Sequence, residues 1–282
     1  AVSNAVQEFS ETMRSNVGRG IYKLNLCATD KYENARETVR SFLNARSTKE
    51  IIFTRNTTEG INIAAYALAK RFLQKGDHVL ISRLEHHSNF LPWQMLAREY
   101  GILLDIIDVD ARGILTREAV EHALTPRTKI ASFTHISNVF GTIYPLEEIG
   151  AILHTQGIFF VVDAAQGVAH LPVDVQKINC DFLAFSGYKI GAPTGIGVLY
   201  GREELLREIP PILFGGGMVN EVTPAHSSWA EPPSKFEAGT PNSEGAIGLA
   251  AAIRYISSIG MDEIRRIDEN HIKTVLARFA QV

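Results

Sequence analysis

Short apolar runs alternate along this chain with longer stretches of helical period. The runs are Ile51–Thr54, His78–Ser82, Leu103–Ile107, Lys129–Phe133, Phe159–Val162 and Phe182–Phe185. Helical candidates lie between them, near Thr58–Phe72, Ser88–Tyr100, Thr116–Ala123 and Leu146–Thr155. Apolar runs this dense, separated by helices, predict strands of a mostly parallel sheet buried on both faces. The fold class is then α/β, with helices on both sides of the sheet. Such sheets bind ligands beyond the carboxyl ends of their strands, so chemistry is expected just after each apolar run. Two further helices, Glu244–Ile259 and Asp262–Phe279, follow. In the second, Ile264, Ile267, Ile272, Val275 and Phe279 fall near one face. No strand is predicted after it. No repeat or low-complexity tract interrupts the pattern.

Composition narrows the function classes. Hydrophobic residues are 45% of the 282 and charged residues 21%, enough apolar material for one large domain or two modest ones. The net charge of −3 argues against nucleic acid as a partner, because such proteins carry a basic excess or stripe. No apolar run approaches the roughly 20 residues of a membrane helix. The start, AVSNAVQEFSETMRSN, is polar and amphipathic, unlike a signal peptide. Two cysteines, Cys27 and Cys180, do not make a disulfide framework, and a reducing cytoplasm is the expected setting.

Three segments place chemistry at strand ends. In Ile51-Ile52-Phe53-Thr54-Arg55-Asn56-Thr57-Thr58-Glu59-Gly60 a strand runs into a polar turn that opens a helix. Unpaired N–H groups there favour an anion, and the Thr57 and Thr58 hydroxyls add donors; an ordinary N-cap is the alternative. In Phe159-Phe160-Val161-Val162-Asp163 an acid follows a fully apolar run. It could hold a protonated ring nitrogen by a charge-assisted hydrogen bond, or simply cap a turn. In Phe182-Leu183-Ala184-Phe185-Ser186-Gly187-Tyr188-Lys189 a lysine follows a strand and enters a turn rich in Gly and Pro. A partly desolvated lysine has a lowered pKa and can form a Schiff base. Together the three supply what pyridoxal 5′-phosphate (PLP) requires: a lysine for covalent attachment, an acid for the pyridine nitrogen and a cup for the phosphate. A fourth segment, Glu85-His86-His87, could suggest zinc, but adjacent side chains rarely point at one metal and no HExxH or CxxC spacing supports it. An imidazole stacked on an aromatic cofactor fits better.

At this point the sequence resembles the class V aminotransferase superfamily, and within it the SufS/CsdA-like (group II) cysteine desulfurases. The resemblance is carried by Thr57-Thr58-Glu59-Gly60-Ile61-Asn62, Glu85-His86-His87 with Asn89, Pro92-Trp93-Gln94, His135 with Ser137-Asn138-Val139, Asp163 with Ala165-Gln166, Pro172-Val173-Asp174, Phe185-Ser186-Gly187 with Lys189, Pro193-Thr194-Gly195-Ile196-Gly197 and Phe236-Glu237-Ala238-Gly239-Thr240-Pro241-Asn242. It implies the large domain of a PLP-dependent transferase of aspartate aminotransferase-like fold type I, with a mostly parallel seven-stranded sheet. Residues 1–282 would form that PLP-binding domain, with about 1–30 an N-terminal segment and about 262–282 a helix leading toward a small domain outside this chain.

The resemblance also implies roles. Lys189 would carry the cofactor and move protons, Asp163 would face the pyridine nitrogen, and Gln166 would contact the phenolic oxygen. His87 would stack on the ring. Thr57, Thr58 and Ser186 would hold the phosphate, with Tyr188 standing where the family has His; a phenol still donates to phosphate. Asn138 would lie on the substrate side. Thr240 and Arg19 would reach the site of a partner subunit, which implies a homodimer, although Gly18 and Tyr22 replace family histidines around Arg19. The implied reaction converts L-cysteine to L-alanine and leaves persulfide sulfur for iron–sulfur cluster assembly or another sulfur-acceptor protein. The nucleophilic cysteine and the carboxylate-binding arginine would belong to the small domain. A related lyase acting on cysteine, cystine or selenocysteine, an epimerase, or a noncatalytic relative are the alternatives.

Overall fold

The computed structural model describes residues 1–18 and 20–281. In chain order the elements are helices α1 (Val2–Thr12) and α2 (Lys23–Phe42), strand β1 (Ile51–Thr54), α3 (Thr57–Phe72), β2 (His78–Ser82), α4 (His87–Tyr100), β3 (Leu103–Ile107), α5 (Arg117–Ala123), β4 (Thr128–Thr134) and α6 (Leu146–Thr155). Then come β5 (Phe159–Asp163), the one-turn helices α7 (Gly167–His170) and α8 (Val175–Ile178), β6 (Phe182–Ser186), β7 (Gly197–Gly201), α9 (Glu203–Glu208), a small hairpin β8 (Val219–Val222) and β9 (Ser227–Trp229), α10 (Ser243–Ile259) and α11 (Met261–Phe279).

Seven strands form one sheet in the order β1-β7-β6-β5-β4-β2-β3. β7 pairs antiparallel with both β6 and β1, and the other pairings are parallel. All six predicted runs are strands of this sheet. The seventh, β7, lies within Gly-Val-Leu-Tyr-Gly, where flanking glycines and the preceding Pro-Thr-Gly turn obscure the apolar run.

Period-two alternation sends successive side chains to opposite faces, which produces two cores. Leu80, Phe133, Val162, Leu183 and Val198 pack with Tyr32, Val39, Leu153 and Leu249 on one face. Val79, Ile81, Val161, Ala184 and Leu199 pack with Ile61, Ala64, Leu68, Trp93 and Leu96 on the other. The result is a sheet between two helical layers, as the apolar runs predict.

Two glycines set how closely the layers approach. A Cβ at Gly60 would stand 2.9 Å from the Ala184 Cβ, so α3 lies almost against β6. A Cβ at Gly197 would stand 2.7 Å from the Asn56 Cα, at the turn that opens α3. Both hold the start of α3 against the carboxyl end of β6. At the far end of the chain, α11 has no buried residue, and Ile267, Ile272, Val275 and Phe279 are exposed.

Candidate active site

The carboxyl ends of β1, β2, β4, β5 and β6 share one edge: β2, β4, β5 and β6 pair in parallel, and β7, antiparallel to both β6 and β1, points β1 the same way. Thr134 is in register with Asp163, and Asp163 with Ala184. The segments that follow these strand ends line a single cleft. Its walls include Thr57 and Thr58 from the start of α3, His86 and Ser88 from the start of α4, Asn138 after β4, Asp163 and Gln166 at the end of β5, and Ser186, Tyr188 and Lys189 after β6.

The phosphate-cup segment is built as a helix start. The cap is Asn56 rather than either threonine: its side chain accepts from the Glu59 N–H at 2.9 Å. That frees the threonines. The Thr57 N–H donates to Ser186 Oγ at 2.8 Å, and the two hydroxyls meet at 2.7 Å. These bonds tie the helix start to the end of β6. First-turn N–H groups lack partners four residues back, and the helix dipole adds positive potential. Thr58, exposed to the cleft, brings a further N–H and hydroxyl.

Asp163 is 2% exposed. One carboxylate oxygen accepts from the Ala165 N–H at 2.9 Å. Burial raises its pKa; the Ala165 amide, Lys189 and His86 pull it back down. A buried carboxylate with a single short partner favours an added cation. Lys189, half-buried in the turn after β6, is shifted the opposite way. Burial lowers its pKa, and the Asp163 charge only partly opposes this. An amine so placed gives up its proton more readily and serves as a nucleophile.

Three of the expected site residues are placed less directly. His86 lines the cleft, and His87 stands beside it, the two ring centroids 5.9 Å apart. His87 is the first residue of α4, and His86 is its N-cap, the last residue of the loop coming from the ligand edge. Its Nδ1 accepts from the Ser88 N–H at 3.1 Å and also contacts the Ser88 hydroxyl, which fixes the ring. Thr240 stands apart from this cleft, exposed on the wall of a larger one with Arg36, Glu237 and Gly217. Arg19 lies outside the described residues. The described walls of that larger cleft hold no lysine, and Glu237 is already engaged by the Arg36 guanidinium, the Phe53 N–H and the Tyr32 hydroxyl. The chemistry therefore belongs to the smaller cleft. His135, singled out in the sequence, is buried with its Nδ1 unpaired, and burial holds its pKa down at about 4.

The two cysteines stand away from the cleft lining. Cys180 precedes β6, at the opposite end of that strand from Lys189. It is fully buried, and burial pushes its thiol pKa well up. Cys27 lies in the second turn of α2.

A deprotonatable lysine, a buried acid and a hydroxyl-lined helix start on one edge of a parallel sheet define a class, the PLP-dependent enzymes. Comparison with known proteins narrows this. Residues 1–282 match the Aminotransferase class-V family. A probable cysteine desulfurase of Halalkalibacterium halodurans is 44% identical over all 282 residues, which span 70% of that relative. A cysteine desulfurase of Escherichia coli O127:H6 is 43% identical over the same span, again 70% of its length. Among solved structures, the cysteine desulfurase from Thermococcus onnurineus NA1 superposes with a TM-score of 0.96 at 42% identity, over 99% of this chain and 70% of that one. The E. coli cysteine desulfurase CsdA gives 0.86 at 40% identity, over 93% and 66%. The chain belongs to the class-V aminotransferase family, in its PLP-dependent cysteine desulfurase branch.

Proposed function

We propose that this chain supplies the PLP-binding domain of a cysteine desulfurase, with the cleft between Lys189 and the start of α3 as the cofactor site. The carrying observation is the pairing of a half-buried lysine with a buried acid in one cleft. The residues fit the cofactor on chemical grounds: the Asp163 carboxylate has one protein donor and favours a cation, and the Thr58 group adds donors where an anion is stabilised.

When bound, PLP supplies a ring that takes up negative charge as the substrate's bonds are broken. The protein's residues do the rest. Lys189 Nζ would hold the cofactor and would carry a proton to and from the substrate side. Asp163 holds the pyridine nitrogen charged. His87, at the start of α4 and beside His86 in the cleft wall, would stack on the ring, and Gln166 would contact the phenolic oxygen. Thr57, Thr58, Ser186 and Tyr188 hold the phosphate, and Asn138 faces the substrate. In the overall reaction L-cysteine loses its sulfur to a thiol. The carbon–sulfur bond breaks, a sulfur–sulfur bond forms, and L-alanine and a persulfide leave.

A homodimer, with Thr240 and Arg19 serving the partner's cofactor, a sulfur-acceptor protein for iron–sulfur assembly, and a cytoplasmic setting complete the reading. The exposed position of Thr240 supports the dimer reading. Among the described residues no helix is long and apolar enough to cross a membrane. Sedimentation should show a dimer; a strict monomer at every concentration refutes that part.

The central test is borohydride reduction of the PLP-loaded chain followed by peptide mapping. A pyridoxyl group is expected on Lys189. A label on another lysine, with none on Lys189, refutes the assignment.

A further inference from the structure

The larger cleft, with Thr240 on its wall, also carries a buried ion pair. Arg36, on α2, is 2% exposed. Its Nη1 donates to Glu237 Oε1 at 2.7 Å and its Nη2 to Oε2 at 3.0 Å, a two-pronged pairing. Nη1 also donates to the Ile51 carbonyl at 2.7 Å, and Nε to Glu33 at 3.0 Å. The guanidinium carbon lies 5.1 Å from the Tyr32 ring centroid and 4.7 Å from that of Phe53. Glu237 accepts two more bonds, from the Phe53 N–H at 2.7 Å and from the Tyr32 hydroxyl at 3.1 Å. α2, β1 and the segment after β9 therefore meet at one carboxylate.

Such a pair is more than stability requires. Both charges lose their water, so a buried ion pair gains little over apolar residues of the same volume. What it adds is direction: a planar fork and a carboxylate fit together in one orientation, which an apolar contact does not impose. The segment so directed is short. Thr240 follows Glu237 by three residues, and Gly239 and Thr240 are both exposed. Before it, Lys235 Nζ donates to the Leu206 and Arg207 carbonyls at 3.0 and 2.9 Å, and Phe236 is buried. After it, Asn242 caps α10 by accepting from the Gly245 N–H at 2.9 Å, while its Nδ2 donates to the Gly195 carbonyl at 2.9 Å. Between these anchors the Gly239 N–H donates to the Gly216 carbonyl at 2.8 Å, and Gly239 takes a φ of +94°, which glycine adopts without strain. Thr240 is an exposed hydroxyl on a loop strung between fixed ends.

We propose that Arg36 is a positioning residue for the partner subunit's cofactor site: through its two-pronged bond to Glu237 it fixes the Gly239–Thr240 loop so that the Thr240 hydroxyl meets the phosphate across the dimer, without touching the cofactor itself. The inference rests on the dimer reading above, in which Thr240 serves the partner's cofactor. Lysine is not an equivalent of Arg36, because a single ammonium lacks the planar fork that engages both Glu237 oxygens and the Ile51 carbonyl together. The effect of losing the fork is therefore felt in the neighbouring subunit's site rather than in the subunit that carries Arg36.

The test uses mixed dimers of the full chain, isolated through two different affinity tags. One subunit carries Lys189→Ala, so borohydride trapping of PLP on Lys189 reports only the site of the other. The readout is the PLP concentration at which half of Lys189 is labelled. Arg36→Lys in the Lys189→Ala subunit should raise that concentration by about tenfold, the worth of one hydrogen bond to a charged group. Arg36→Lys in the Lys189-bearing subunit should leave it unchanged. Thr240→Ala in the Lys189→Ala subunit should give a similar loss, and adding Arg36→Lys beside it should add little. Should Arg36→Lys fail to fold, Glu237→Gln keeps the shape with one acceptor oxygen and is read in the same pairs. A merely structural ion pair weakens the subunit that carries the substitution. The inference is overturned by a loss confined to, or equal in, the arrangement with Arg36→Lys beside Lys189, by no loss in either arrangement, or by a full further loss on top of Thr240→Ala. A chain that does not dimerise, or a Thr240→Ala without effect across the dimer, removes the dimer reading and the inference with it; an effect of Thr240→Ala with none of Arg36→Lys removes the inference alone.

Discussion

Gly60 offers the sharpest test of how the fold positions the site. Gly60→Ala adds a Cβ 2.9 Å from the Ala184 Cβ, 3.5 Å from the Leu199 Cβ and 3.6 Å from the Val198 carbonyl oxygen. Carbon atoms prefer about 3.5–4 Å, so α3 must retreat by roughly 0.6–1 Å. Alanine gains about 1 kcal/mol of helix propensity over glycine, against about 1–3 kcal/mol for overpacking a core. The net expectation is a destabilisation of about 0–2 kcal/mol. The larger effect falls on the cofactor. A retreat of that size stretches the Thr57–Ser186 contacts, now 2.7 and 2.8 Å, to or beyond the roughly 3.5 Å at which such bonds fail. If the shift costs one hydrogen bond from this helix start to the phosphate, worth about 1.5–3 kcal/mol, PLP affinity drops by roughly ten- to a hundredfold. Urea denaturation of the cofactor-free chain and absorbance titration with PLP measure the two terms separately. Adding Ala184→Gly reopens the space and should restore much of the affinity while stability stays low, because glycine weakens the strand. A Gly60→Ala protein about 1 kcal/mol more stable than its parent, with unchanged PLP affinity, would refute the close-packing argument.

Two further outcomes follow from burial. The folded-state pKa of Asp163 is raised, so its ionisation costs stability as pH rises through the carboxylate range. Asp163→Asn should therefore stabilise the cofactor-free chain at pH 7, with the gain shrinking toward pH 4, while slowing turnover of the loaded enzyme by at least about a hundredfold; a less stable variant at pH 7 contradicts the assignment. Residues 1–282 loaded with PLP should form little persulfide from cysteine, because Cys180 is buried behind the sheet with a disfavoured thiolate and Cys27 does not line the cleft. Robust turnover abolished by Cys27→Ser or Cys180→Ser would show a nucleophile within this chain.

Periodicity and residue type were enough to determine the layered α/β architecture, because a parallel sheet buried on both faces must show apolar runs between amphipathic helices. Six strands were legible on that ground. β7 was not, because its tyrosine and glycines draw their strand character from neighbours on both sides. The chemical set was legible too: an acid, a lysine and a hydroxyl-rich helix start each follow an apolar run, and strand ends in such a sheet share an edge. What only the tertiary structure decided was which atoms face the cleft. Adjacent histidines look equivalent in sequence, but α4 begins at His87, so His86 is left on the loop as its cap while His87 opens the helix beside it. Asn56, by taking the cap, leaves Thr57 to bind Ser186, a residue 129 positions away. Glu237 gave no sign of its partners, because Arg36, Tyr32 and Phe53 come from segments that sequence spacing cannot aim at it. Side-chain direction at the end of a strand or the start of a helix depends on the exact residue where each element begins, and packing between layers sets that boundary.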